Sequence, residues 1–321
     1  MDAFENEATS KFIQGFTVND HKQRLADASK ADMVFPGEYL DEALDIHNRP
    51  EDEQGIPIPW APDVLLKPNT MTVVGGANGH KKSMMSSQLA LQVAKTGKAA
   101  IMQLEEGMGE QVINLTKQAV AKQKITDSEI KRFCAWAEDR LYLYARRELT
   151  TIEPALGFLW AASDWGANLG IIDNLQKLGM KHNDNDQQNK DVELLLDVAN
   201  NNQAGMHVMI VHHVTKPPFV KDWRPDRYSL RGSGGLSDKP HNVILCYHNK
   251  DRASAARKSH DERDQYERQL LSEKPGFELI LEKLRGQEGE RTVELYDGAG
   301  PTIQHRAGDC LMRVFDEGVA G

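Results

Sequence analysis

Apolar and polar positions alternate in two periods along the middle of the chain. Short runs such as Thr70 to Val74, Lys98 to Leu104, Leu169 to Asp173, His207 to Val211 and Asn242 to Cys246 are nearly continuous in apolar residues. Runs of that length read as buried strands. Between them, Met85, Leu89 and Val93 recur at helical spacing, as do Val192, Leu195, Leu196 and Ala199. Each set marks one face of an amphipathic helix. Strand and helix in alternation predict an α/β fold with a mainly parallel central sheet. Phe277 to Leu281 and Arg291 to Tyr296 predict a C-terminal β-hairpin.

The flanks differ. Residues 1–66 read as an extension, with Phe4, Phe12, Phe16 and Val18 as isolated apolar points. Glu38 to Ile46 predicts a short amphipathic helix with Tyr39, Ala43 and Ile46 near one face. An acidic linker from Arg49 to Gln54 and the proline-rich Gly55 to Pro62 come next, and proline excludes the latter from a helix interior. Residues 249–275 are densely charged and read as an exposed insertion, helical or loose, and 305–321 as a tail.

Composition narrows the class. The chain has 321 residues, enough for one large α/β domain with appendages. No run approaches the roughly 18 apolar residues of a membrane span, and Met1 to Glu5 has no features of a secretory signal. Cys134, Cys246 and Cys310 are scattered, which argues against a disulfide scaffold or zinc site and fits a reducing cytoplasm. The net charge of −9 means that any contact with nucleic acid needs a local basic patch.

The main chemical signal lies just after the first strand of the α/β region. Gly75 to Ser83 reads GGANGHKKS. Against the phosphate-loop pattern GxxxxGK[ST], Gly76 is the first glycine, Lys82 the lysine and Ser83 the hydroxyl. Lys81 stands where the pattern has its second glycine, and Gly79 would supply the missing freedom. Backbone N–H groups from Asn78, Gly79, His80 and Lys81 to Met84 would form an anion cradle at a helix N-terminus. Lys82 would reach the phosphates of ATP and Ser83 would ligate Mg²⁺. Asp173, at the tip of a buried strand, would complete the metal site, and Glu105 or its neighbour Glu106 would polarise a water.

The blocks GGANGHKKS, QLEEGMGE, GIIDNLQKL, VMIVHHVTK, LRGSGGLSDKPHNVI and LEKLRGQEG stand in an order that resembles the ATPase domain of DnaB-like replicative helicases, above all the helicase half of phage primase–helicases. The resemblance covers roughly residues 55–300 and implies a RecA-like P-loop NTPase core over 67–304. It also implies a homo-oligomeric ring, a hexamer, that runs on single-stranded DNA with a separate primase or loader. Glu105 is then the catalytic base, and His213 the γ-phosphate sensor. Lys283 and Arg285 are the Lys-x-Arg element that acts on a neighbouring subunit's nucleotide. His212 and His213 are adjacent in a strand, so only one faces the site. Tyr296, with His248 as a second choice, is a candidate base stacker.

DNA would be met by the segment from His212 to Arg231 and by the small residues just beyond it. Lys216, Lys221, Arg224, Arg227 and Arg231 oppose Asp222 and Asp226, a local charge of +3. Gly232 and Ser233 would let backbone approach DNA phosphates, and Lys177 to Lys190 forms a second candidate loop. Two other readings remain open on sequence: a RecA- or KaiC-like ATPase that binds single strands without unwinding, and a non-hydrolysing adaptor with a degraded loop.

Overall fold

A computed structural model describes residues 36–50, 54–145, 151–178, 185–215, 223–232, 234–305 and 313–314. The chain divides into two units, Met1–Gln54 and Gly55–Gly321. In the first, a 3₁₀ turn at Pro36–Tyr39 leads into helix α1, Leu40–Asn48. Leu40 and Leu44, four apart and so on one face, are both exposed, as is Ile46.

The second unit starts at Gly55, ahead of the boundary at residue 67 that the sequence suggests. Strands β1 (Ile56–Ile58) and β2 (Ala61–Leu66) pair antiparallel across the proline-rich stretch. Pro57 is tolerated because β1 is an edge strand and its ring faces solvent. Ile58, Trp60, Val64 and Leu66 are buried in the core of this unit, and the Trp60 indole donates to the Ile303 carbonyl at 3.0 Å. The apolar positions here belong to a hairpin.

Nine strands form the main sheet: β3 (Met71–Gly76), β4 (Ala99–Gln103), β5 (Leu141–Leu143), β6 (Leu169–Asp173), β7 (His207–His213), β8 (Asn242–His248), β9 (Phe277–Leu284), β10 (Arg291–Asp297) and β11 (Ile303–Gln304). Their order is β11-β10-β9-β8-β3-β7-β6-β4-β5. The strands from β8 to β5 are parallel, while β9, β10 and β11 are antiparallel additions. The fold is thus α/β, with a mainly parallel sheet and a C-terminal hairpin.

Strand pleating sorts the core into two layers. Val74, Ile101, Ile171, Met209 and Ile244 face one cluster, and Val73, Ala100, Met102, Ile172, Ile210 and Val243 face the other. Helix α2, Lys82–Val93, contributes Met85 and Leu89 to the first. Helices α3 (Met108–Val120), α4 (Asp127–Ala137) and α5 (Glu153–Asp164) and strand β5 have no counterpart in the sequence reading. Of α4 only Phe133 is buried, so it shows little periodic signal.

Helix α6, Asn185–Asn201, takes up the end of the second candidate DNA loop; residues 179–184 lie outside the described residues. After β7, a short helix α7, Gly235–Asp238, precedes β8. The charged insertion is two helices, α8 (Lys250–Arg257) and α9 (Gln265–Glu273), N-capped by the side chains of Asn249 and Asp264. No helix among the described residues is long and apolar enough to cross a membrane.

The N-terminal ends of the central strands hold a buried polar network. The His207 ring contacts the Thr70 hydroxyl (2.9 Å), the Lys67 carbonyl (3.0 Å) and the Thr72 hydroxyl (2.9 Å), and Asn242 donates to Thr72 at 3.0 Å. Burial lowers the His207 pKa to about 4. An unfolded histidine binds its proton near pH 6.5, so wild-type stability gained from neutral His207 falls as pH drops from about 6.5 toward 4. We expect His207→Leu to cost about 2 kcal/mol at pH 7.5, with the gap to wild type largely closed at pH 5 in urea unfolding. A pH-independent gap would refute a neutral buried His207.

Candidate nucleotide-binding site

Parallel pairing brings the C-terminal ends of β3, β4, β6 and β7 to one edge of the sheet, where ligands of open α/β sheets bind. The glycine-rich loop leaves β3 there. A Cβ on Gly76 would lie 2.8 Å from the Cys246 carbonyl and 3.1 Å from Lys82 Cγ, so only glycine fits. The loop turns back with His80 N–H donating to the Ala77 carbonyl, and α2 starts from the Lys81 carbonyl. Lys81 has φ 58°, the left-handed conformation that glycine favours. The backbone of the glycine pattern is therefore kept with a lysine in it. Its ammonium is paired with the Asp297 carboxylate at the end of β10, and burial lowers its pKa to about 8.

Lys82 is buried and its Nζ donates to the Ala77 carbonyl at 3.1 Å. Burial pushes its pKa down, against the pull of the Asp173 and Glu105 charges. The same nitrogen lies 3.4 Å from His213 Nδ1. Asp173 is buried and its carboxyl meets the Ser83 hydroxyl. Burial raises its pKa to about 6 despite that hydrogen bond and the Lys82 charge. Met84 is half-buried on the first turn of α2.

The Gln103 side chain accepts from the N–H groups of Glu105 (2.8 Å) and Glu106 (2.7 Å), which shapes the turn after β4. Asn174 Nδ2 donates to Glu105 at 2.7 Å and lies 3.2 Å from His213 Nε2. Glu106 instead accepts from Asn114 at 2.9 Å. His212 points the other way and donates to the Arg231 carbonyl at 2.6 Å. Lys82, Ser83, Asp173, Glu105 and His213 thus form one cluster. Asn174 and Gln103 are members that sequence reasoning missed; only the place of Asn174 directly after Asp173 offered a signal.

The loop is also tied to the C-terminal strands. His80 Nδ1 donates to the Cys246 carbonyl at 3.2 Å, and Lys250 Nζ donates to the Asn78 carbonyl at 2.9 Å. His248 is hydrogen-bonded to the Gly79 backbone, and burial lowers its pKa to about 4. Tyr296 is half-buried with the Arg252 guanidinium 5.5 Å from its ring centre.

Lys283 and Arg285 are not in the cluster. Leu284 pairs with Asn242, which also pairs with Thr72, so both cations sit at the N-terminal ends of the parallel strands. The seven-residue β8 puts them roughly 20 Å from the loop of their own chain. There both reach the Asp238 carbonyl, Lys283 at 2.7 Å and Arg285 at 3.4 Å.

Of the candidate DNA contacts, Lys216, Lys221 and Ser233 lie outside the described residues. Arg231 is exposed. Gly232, also exposed, has φ 109°, and a Cβ there would collide with Gln188. Arg224 makes a two-pronged pair with the buried Glu278, both contacts at 2.6 Å, beside the Tyr247 ring. It anchors its segment to β9.

A family model described as AAA domain matches residues 48–218, which include the loop, Glu105, Asp173 and His213. The chain belongs to the AAA domain family. No curated protein sequence matches this family member. Among solved structures it is similar to an isolated ATPase domain, with TM-score 0.63 and 16% identity over 83% of this chain and 98% of that one. It is also similar to a DnaB-like replicative helicase solved with attention to its interactions with primase, with TM-score 0.61 and 15% identity over 92% of this chain and 74% of that one. The fold is that of the RecA-like ATPase domain of DnaB-like helicases.

The oxygens at the loop suit Mg²⁺. Ser83 and Asp173 supply a hydroxyl and a carboxylate, and the buried Asn174 Oδ1 has no hydrogen-bond partner. Magnesium binds through few protein oxygens, with water and substrate phosphates filling its shell. No group of three or more His, Cys, Asp or Glu among the described residues is arranged to hold a metal alone.

The raised Asp173 pKa carries a sign. The folded state holds an extra proton between about pH 3.8 and 6, so burying the carboxylate costs stability above pH 6. Asp173→Asn should therefore stabilise the ligand-free family member at pH 8 by about 1–3 kcal/mol, and the gain should shrink below pH 6 in urea unfolding. A variant less stable than wild type at pH 8 would show that Asp173 is not a strained ion.

Proposed function

We propose that this chain is the ATP-driven motor of a ring-forming replicative DNA helicase, which moves along single-stranded DNA and separates the duplex. The observation that carries the reading is the split between the two ends of the sheet. Lys82, Ser83, Asp173, Glu105 and His213 converge at one end, while Lys283 and Arg285 stand at the other. A permanent cation at the γ-phosphate speeds hydrolysis. A neighbour's Arg285 set against this chain's loop would supply one, and head-to-tail contacts of that kind form rings where the rotation closes.

In this reading Lys82 and the loop N–H groups bind the triphosphate. Ser83 and Asp173 would hold Mg²⁺, which would supply positive charge beside the triphosphate. Glu105 polarises the attacking water, oriented by Asn174. His213, at the end of β7, senses the γ-phosphate and passes the change to Arg231, whose N–H is bonded to the His213 carbonyl at 3.0 Å. Lys216, Lys221, Arg231, Gly232 and Ser233 would move with that segment against DNA phosphates, and Arg224 would hold its base on Glu278. Binding is then independent of sequence and sensitive to salt. The exposed Leu40, Leu44 and Ile46 support docking of α1 on a neighbouring subunit. A hexamer, a separate primase or loader, and a place in the cytoplasm of a bacterium or phage-infected cell complete the proposal.

Lys82→Ala should abolish ATP turnover that single-stranded DNA stimulates. Arg285→Ala should lose hydrolysis, about 10³-fold or more, and keep nucleotide binding. Mixing the two inactive proteins should restore turnover if the arginine acts across subunits; no recovery would overturn the inter-subunit site. A strand-displacement assay decides unwinding: DNA-stimulated hydrolysis without displacement would favour the RecA-like alternative.

A further inference from the structure

The charged insertion that follows β8 opens beside the phosphate loop. Lys250, the first residue of helix α8, is exposed, and its Nζ donates to the Asn78 carbonyl at 2.9 Å. We infer that Lys250 is a further binding residue of the nucleotide site, a cation set in cis at the γ-phosphate end of the cradle that favours a nucleoside triphosphate over a diphosphate. The inference rests on the nucleotide-site reading above.

The backbone that carries Lys250 is anchored. Asn249 is buried, its N–H donates to the Gly276 carbonyl at 3.1 Å, and its side chain accepts from the Arg252 N–H at 2.9 Å. The lysine stem then lies over Gly79, where a Cβ would stand 3.6 Å from Lys250 Cε and 3.5 Å from its Nζ. Lys82 carries the ammonium that meets the β and γ phosphates in loops of this pattern. It is bonded to the carbonyl of Ala77, the residue before Asn78. Both ammonium groups therefore stand at the same end of the loop. Lys81 is neutralised by Asp297. Lys250 has no such partner: among the described residues no carboxylate lies within pairing distance of it, and a carbonyl leaves its charge in place. Burial is the main cause of the low pKa values of Lys82, His80 and His248, and the Lys250 charge lowers each further. Like charges held together without a counter-ion repel, and a polyanion between them would relieve that repulsion. ATP carries one more phosphate than ADP, at the end where Lys250 stands, so it gains more from this cation.

Isothermal titration of the full chain with Mg²⁺ tests this, using a non-hydrolysable ATP analogue and ADP as probes. Lys250→Gln removes the charge and keeps a donor for the Asn78 carbonyl. It should weaken the ATP analogue about tenfold and ADP by no more than about threefold. Lys250→Arg keeps the charge and should stay within about threefold of wild type for both probes. Added salt should narrow the gap between wild type and Lys250→Gln for the ATP analogue, because exposed charges are screened. Thermal melts of each variant check folding. Equal losses for both probes would make Lys250 a fastener of the loop and overturn the inference. Unchanged binding of the ATP analogue by Lys250→Gln, or a loss in Lys250→Arg as large as in Lys250→Gln, would overturn it too. Wild-type protein that binds neither probe would overturn the nucleotide site itself, and the inference with it.

Discussion

An ammonium and a carboxylate, both withdrawn from water, stand at the same edge of the sheet without completing each other's shells. Lys82 is held by a carbonyl and a histidine ring, and Asp173 by a hydroxyl. Burial pushes the lysine's pKa down and the aspartate's up. Isolated ions of this kind cost stability. In the proposed function, a triphosphate with its divalent cation would offset that cost for both at once. Opposed shifts of two neighbouring groups are the pattern of a candidate binding site.

The sheet does this by direction. The parallel strands deliver their C-terminal ends to one edge, so the loop after β3, the turn after β4, Asp173 and His213 meet without any long-range folding device. The three antiparallel strands then reverse the sense. Because β9 runs against β8, Lys283 and Arg285 emerge at the opposite edge. One chain thereby presents the glycine-rich loop and its acidic neighbours at one end and a pair of cations at the other, the layout on which the proposed head-to-tail assembly rests.

The segment after β7 joins these parts. The rings of His212 and His213 diverge from adjacent strand positions, one toward Arg231 and one toward Lys82 and Asn174. A change felt by His213 has a short backbone route to the glycine-rich stretch at Gly232. Gly232 lies close against Gln188 of helix α6, where a Cβ would collide.

Much of the candidate site's edge was legible before folding. Continuous apolar runs and helical spacing marked the central strands and two of the helices, and the loop pattern, Asp173 and the paired histidines are local features that sit at strand ends. What escaped had weak local signal: β5 has three residues, α4 buries a single aromatic, and the proline-rich hairpin gives no clear periodicity although Ile58, Trp60, Val64 and Leu66 pack in the core. The partnerships of Lys81 with Asp297, Asn174 with Glu105, and Arg224 with Glu278 join residues from 54 to 216 positions apart. Composition and spacing are blind to such pairs, because which distant side chains share a place is decided by strand order and by which edge each strand leaves. The chain's own residues determined that a glycine-rich loop joins a strand to a helix after β3; tertiary structure alone decided what stands around it, since strand direction sets who meets whom.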